Sequence, residues 1–245
     1  MSRFLRRRDP DIVERMDEPD CDPARLEATY RHFTLLNRCI SGWGMLYRSS
    51  IRPLLRRDEP TTLLDVGCGG GDVARFLLGR AARDGLALRI TGIDPDRRAV
   101  AFARDAAPAG MEVRVASAAG VLASGDRFDL VISNHVLHHL QDGEVTGFMQ
   151  ELAALARVRA ICSDIERSTL GFALFSVGTA PLFRGSFIRE DGQRSIRRSF
   201  RRDELARLAP EGWRVERRVP FRLVAMKDMQ AEGSGGGAGT ERRGP

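Results

Sequence analysis

The residues of this chain best suited to do chemistry are an aspartate and the glycines after it, Asp65-Val66-Gly67-Cys68-Gly69-Gly70-Gly71-Asp72. Leu63, Leu64 and Val66 around the aspartate are apolar or branched, and a helical pattern runs from Asp72 to about Arg83. A strand that runs into a glycine loop and then a helix forms the front edge of a nucleotide-type site. Glycine serves there because backbone lies against a ligand where a Cβ would collide, and because tight turns often need positive φ. A pyrophosphate site would call for Gly-x-Gly-x-x-Gly, but Asp72 stands at the third glycine's place. A carboxylate at that helix mouth repels phosphate, although it satisfies exposed backbone N–H groups.

The spacing Asp65-x-Gly67-x-Gly69-x-Gly71 therefore suits a ligand that lacks phosphates and carries positive charge. S-adenosylmethionine, with its sulfonium and ammonium groups, is such a ligand, and Asp65, Gly67, Cys68 and Gly69 are its expected contacts. A second strand, Leu88 to Ile93, ends at Asp94-Pro95-Asp96. Asp94 stands near the offset at which an acidic side chain meets ribose hydroxyls, and Pro95 suits a helix start. Three of the four histidines cluster at 135, 138 and 139, directly after the fourth strand. That loop lies at the carboxyl end of the sheet, where ligands bind in open α/β folds. A positioned base that takes a phenol's proton adds about 10²–10⁴-fold to a displacement. His138 is the first choice for that base, with His135 and His32 as alternates; the plainer role for each is capping backbone or packing.

Positioning these groups requires alternating strands and helices. Strands are expected near 63–66, 88–93, 112–116, 128–133 and 158–163, with helices between, which specifies a parallel sheet covered on both faces. Trp213 to Val219 and Arg222 to Met226 are joined only by Pro220-Phe221, a link that suits an antiparallel hairpin. Residues 1–22 are charged and proline-bearing, and are expected to be poorly ordered. One domain then spans 23–229: a helical lid (23–58), the cofactor-binding core (59–164), an insert (165–200) and the hairpin (201–229). The glycine-rich stretch 230–245 reads as a flexible tail.

From Thr61 to Leu140, and more loosely to Met226, the sequence resembles the class I S-adenosylmethionine-dependent methyltransferases. Leu63 to Asp72 look like that family's first motif and Thr91 to Asp96 like its second. Phe128 to Leu140 (Phe-Asp-Leu-Val-Ile-Ser-Asn-His-Val-Leu-His-His-Leu) are similar to its fourth-strand motif. The resemblance implies a doubly wound, mostly parallel seven-stranded Rossmann-like sheet with a terminal antiparallel strand. It also places the glycine loop on the methionine part, Asp94 on the ribose, and Ser117 and Ala118 at the adenine, where many members carry an Asp in place of Ser117. Asn134 and Val136 fall beside the cofactor.

The segment Tyr30 to Trp43 looks like the N-terminal element of ubiquinone and menaquinone biosynthesis methyltransferases, and Phe33 stands where those enzymes usually have Tyr. His32 and Phe33 are its candidate substrate contacts, with Asn37 close by. The apolar helix Ser168 to Pro181 and the Phe183-Arg-Gly-Ser-Phe187 stretch resemble an insert of methyltransferases found beside type III polyketide synthases. Phe172, Phe175, Phe183 and Phe187 are the candidate pocket residues there.

Composition narrows the classes. With 245 residues and 42% apolar content the chain can bury one sizeable core. No apolar run reaches the roughly 18 residues a membrane span requires, and the basic N-terminus lacks the apolar stretch of a secretory signal. Cysteines 21, 39, 68 and 162 have no paired spacing, which argues against zinc or a disulfide framework and for a reducing cytoplasm. The net charge of +6 comes almost wholly from arginine, since Lys227 is the only lysine. The arginines alternate with acids as on solvated faces, so nucleic acid is not the expected partner. The expected function is methyl transfer to a small lipophilic acceptor, at a phenolic or quinone-like hydroxyl or ring carbon. The alternatives are an RNA- or protein-directed methyltransferase, or a non-catalytic cofactor-binding partner.

Overall fold

The computed structural model describes residues 5–179 and 182–230, without the side chains of Leu35 and residues 37–40. The expected alternation is present: β1 Thr61–Val66, β2 Leu88–Asp94, β3 Met111–Val115, β4 Phe128–Asn134 and β5 Ala156–Ile165. The hairpin follows as β6 Arg214–Arg218 and β7 Arg222–Asp228. Together they form one sheet in the order β3-β2-β1-β4-β5-β7-β6. The first five strands pair in parallel, and β7 lies antiparallel to both of its neighbours. The order reverses between β1 and β4, so their carboxyl ends open the crevice where ligands enter such sheets.

β1 shows why the sheet is covered on both faces. Leu63 packs with the residues of α2 (Trp43–Leu46) and α3 (Asp72–Arg83). Leu64 and Val66 point the other way, into a cluster built with α5 (Ala118–Ala123), α6 (Asp142–Leu155) and α9 (Arg202–Leu208). Alternate side chains of one strand thus feed two cores. The remaining helices are α1 (Pro23–Ile40), α4 (Arg97–Asp105), α7 (Thr169–Thr179) and α8 (Ile188–Arg198). Ser41 and the left-handed Gly42, φ 76°, end α1 and start α2.

The segment before α1 departs from expectation. Residues 5–22 are seated on the domain, because charge satisfies what apolar content alone would not. Leu5 is buried. The Arg8 guanidinium donates to the carbonyls of His138 and Leu140 and pairs with Asp142 at 2.7 Å. The backbone N–H groups of Arg15 and Met16 donate to Asp191 of α8. Residues 231–245, the expected flexible tail, lie outside the described residues.

Helices α7 and α8 pack closely at Gly192, where an added Cβ would overlap the Phe175 ring. Gly192→Ala is therefore expected to destabilise the fold by about 1–3 kcal/mol, the usual cost of overpacking, read from the midpoint of urea denaturation.

Candidate functional site

The glycine loop is shaped by backbone, as its sequence requires. Gly67, Gly69 and Gly71 all have positive φ (71°, 52° and 75°). The loop is pinned from β2: the N–H groups of Gly67 and Cys68 donate to the Ile93 carbonyl at 2.8 and 3.0 Å. Asp94 ties two loops together, accepting from Gly69 N and Asp96 N, each at 2.9 Å. The cap of α4 is Asp96, which accepts from Arg98 N. Asp94 therefore does not cap α4, and Pro95 lies just before that cap.

Asp65 is 1% exposed, and its Oδ2 has no hydrogen-bond partner among the described residues. Burial first, then the nearby Asp72 and Asp94, push its ionisation up to about 8. A Cβ at Gly69 would meet open space, so the strained loop is not enforced by protein packing at that point. An orphaned buried carboxylate beside an open glycine bend fits a group bearing an ammonium. The residues present therefore accommodate S-adenosylmethionine.

Cys68 contributes backbone only; its side chain is buried with Val100, Ala103 and Val113. Ser117 closes the carboxyl end of β3 and caps α5 through its Oγ, and Ala118 is buried in the core behind it. Val136 presses on the glycine loop, because its Cγ2 occupies the place a Cβ of Gly67 would need.

The histidine cluster surrounds the expected base with counter-charge. His138 is 1% exposed and lies between two carboxylates, Nδ1 at 2.7 Å from Asp164 Oδ1 and Nε2 at 3.2 Å from Glu14 Oε1. Burial works against its charge, but Asp164 and Glu14 outweigh it and hold the imidazolium up to about 9. Both ring nitrogens donate, so His138 has no lone pair with which to take a proton. His135 has the opposite environment. Its Nε2 lies 2.6 Å from Arg222 Nη1, and burial together with that cation keeps it neutral. With Nε2 accepting, its hydrogen sits on Nδ1, which makes it a donor. Its φ of 60° is unusual for a side chain larger than glycine, the kind of strain that marks functional loops.

Two residues of this corner escape a reading of the sequence. Arg222, at the start of β7, is 4% exposed and also donates to Asn134 Oδ1 at 2.7 Å and Ser163 Oγ at 2.9 Å. Glu14 is 3% exposed, accepts from Ser195 Oγ at 2.7 Å, and is drawn down to about 2 by its histidine partners against the penalty of burial. Glu14, His138, Asp164 and Arg222 sum to zero formal charge, which is how four ionised groups can be buried together. A buried imidazole after an apolar strand demands counter-charges; that demand was the available signal, though it does not say which acids answer it.

The candidate acceptor contacts divide. His32 meets Phe183 edge-on, ring centres 5.2 Å apart, and its Nδ1 is buried without a partner among the described residues. Phe33 and Phe187 pack instead with Leu26, Tyr30 and Phe102 in a small core under α1. Phe175 is spent on Gly192. Phe172 lines a cavity of about 580 Å³ with Glu190, Gln193, Arg194 and Arg197, set apart from the His32–Phe183 pair. The Asn37 side chain lies outside the described residues.

Residues 63–159 match the family described as a methyltransferase domain. The chain is 36% identical over 122 residues to a ubiquinone biosynthesis O-methyltransferase of Methylobacterium sp. (strain 4-46), covering 48% of this chain and 46% of that enzyme. It is 33% identical over 111 residues to the enzyme so named from Rhizobium johnstonii, covering 44% and 40%. The chain thus aligns with about half the length of the curated relatives it matches. Among solved structures, the plantazolicin methyltransferase BpumL in complex with SAH superposes with a TM-score of 0.62 at 12% identity, over 88% of this chain and 93% of that one. That likeness concerns the fold. The acid-led glycine bend and the strand order agree with that match, which makes residues 63–159 similar to a methyltransferase domain.

Proposed function

We propose that this chain transfers a methyl group from S-adenosylmethionine to a small lipophilic acceptor, at a phenolic or quinone-like oxygen or ring carbon, in a reducing cytoplasm. The observation that carries the donor side is Asp65, buried and unpartnered beside an open glycine bend. In this reading Asp65, Gly67 and Gly69 hold the methionine part, Asp94 the ribose hydroxyls, and Ser117 and Ala118 flank the adenine. When bound, the cofactor supplies an electrophilic methyl on cationic sulfur. The acceptor side draws on the relatives, whose name assigns them to oxygen methylation in ubiquinone biosynthesis.

The protein's own part is positioning, which is worth about 7–11 kcal/mol in well-oriented reactions. Asn134, its Oδ1 held by Arg222, keeps its amide hydrogens available, and His135 offers Nδ1–H. Both are donors at the carboxyl end of β4, suited to stabilise an acceptor oxygen that already carries negative charge. His32 and Phe183 form an aromatic pair on the α1 side. Because neither His138 nor His135 offers a lone pair, the single-turnover rate with a phenol is expected to climb with pH as the acceptor ionises, without an inflection near 6.5. A pH profile with phenols of differing acidity checks this: the inflection moves with the phenol.

The deciding experiment supplies isotopically labelled methyl donor with host extract and with a panel of phenols and quinols, then identifies the labelled product. Label in a lipophilic small molecule supports the reading. Label in RNA or protein overturns it.

A further inference from the structure

Asp65 stands among other acids. The groups facing Asp65 can be named element by element. From α3 comes Asp72, and from the end of β2 comes Asp94. The loop brings the Cys68 thiol, which burial and Asp65 itself keep protonated. β4, the other neighbour of β1, ends in Ser133 and Asn134, neither of which titrates. Arg75, the cation of α3 nearest the loop, directs Nη1 to the Gly70 carbonyl at 2.6 Å and lies under the influence of Asp72. Asp65 Oδ2 meets no donor among the described residues. A carboxylate so enclosed is a poor anion until a cation arrives.

We propose that ligand uptake is coupled to loss of one proton from Asp65, so that the carboxylic acid of the free protein becomes the carboxylate that holds the ligand's α-ammonium. This rests on the donor reading above and gives that site its charge logic. The O–H bond of Asp65 breaks, its proton leaves to buffer, and an ammonium–carboxylate pair forms in its place. The burial and acidic neighbours that hold Asp65 up to about 8 make the acid the resting form at neutral pH. The α-ammonium is common to S-adenosylmethionine and its demethylated product, so both release the proton. Asp72 and Asp94 then face a neutral pair in place of a third anion.

Isothermal titration calorimetry of the full chain with S-adenosylhomocysteine, in buffers of differing ionisation enthalpy, tests this directly. From an ionisation near 8, about 0.9 proton should be released per ligand at pH 7 and close to one at pH 6. The apparent Kd should fall about tenfold from pH 6 to pH 7, since raising the pH by one unit removes one decade of competing proton. Asp65→Asn should bind more weakly and release none. Binding with no net proton transfer at either pH overturns the proposal, as does an undiminished release from Asp65→Asn. If that variant does not fold, the wild-type buffer series decides alone. Absence of any binding, of donor or product, overturns the donor reading and this proposal with it, and is thereby distinguishable from binding without proton release.

Discussion

Replacing His138 by alanine is expected to lower the stability of the domain by about 3–5 kcal/mol and to free residues 5–22 from its surface. The imidazolium stands between Glu14 and Asp164, and removing one partner of a buried pair leaves uncompensated charge worth about that much. Against a typical total of about 5–15 kcal/mol the loss is large. Urea denaturation gives the energy, and limited proteolysis before Pro23 reports the release. A histidine acting as base would behave otherwise, losing turnover with little loss of stability.

The pH dependence follows from the same geometry. The raised His138 contributes stability fully present below its ordinary value near 6.5 and lost as pH rises through about 9. The lowered Glu14 contributes stability present above its ordinary value near 4.5 and lost as pH falls through about 2. The corner is therefore tightest between about 4.5 and 6.5, and denaturation midpoints of the wild type should decline from pH 7 to 9. In His138→Ala that decline should be reduced.

What the sequence makes legible is local. The glycine bend, the end of β2 and the β6–β7 hairpin are each written within a short stretch of chain, where spacing alone limits the backbone. Asp94 was placed correctly at the strand end, yet its bond to Gly69 N, 25 residues away, appears only in three dimensions. The histidine-bearing corner is assembled from further apart still: Glu14 reaches His138 across 124 positions and Arg222 reaches His135 across 87. Neither residue stands in a periodic pattern. Glu14 sits among charges and prolines that compositionally describe an unordered segment, and order there comes from ionic and backbone hydrogen bonds, which leave no hydrophobic signature. As sequence the histidines look reactive, because their partners stand far along the chain. The same partners, once seen, remove the lone pair that reactivity would need.

The aromatic residues teach a related lesson. Phe33, Phe183 and Phe187 are alike as sequence, but the path of α1 sends Phe33 and Phe187 into a core with Tyr30 and Phe102, while Phe183 meets His32. Apolar side chains say that a surface will be covered; they do not say whether protein or ligand covers it.

Gly67→Ala is expected to weaken binding of S-adenosylmethionine by two to three orders of magnitude while leaving the fold cooperative. Two costs combine at this position. A non-glycine residue at φ 71° costs about 1–2 kcal/mol, and the new methyl overlaps Val136 Cγ2, a form of overpacking that costs about 1–3 kcal/mol. In the free protein the loop relieves both by giving up its bonds to Ile93 and Asp94. Ligand binding demands the original bend, so the strain appears as lost affinity, at about 1.4 kcal/mol per decade. The pair of causes separates in Gly67→Ala/Val136→Ala. That double variant removes the overlap and keeps the dihedral penalty, and should recover roughly one order of magnitude in calorimetric affinity. Full recovery would assign the whole effect to the Val136 contact. No recovery would assign it to the backbone, and would place the rigidity of this site in the glycine loop itself, independent of the histidine-bearing turn that leans on it.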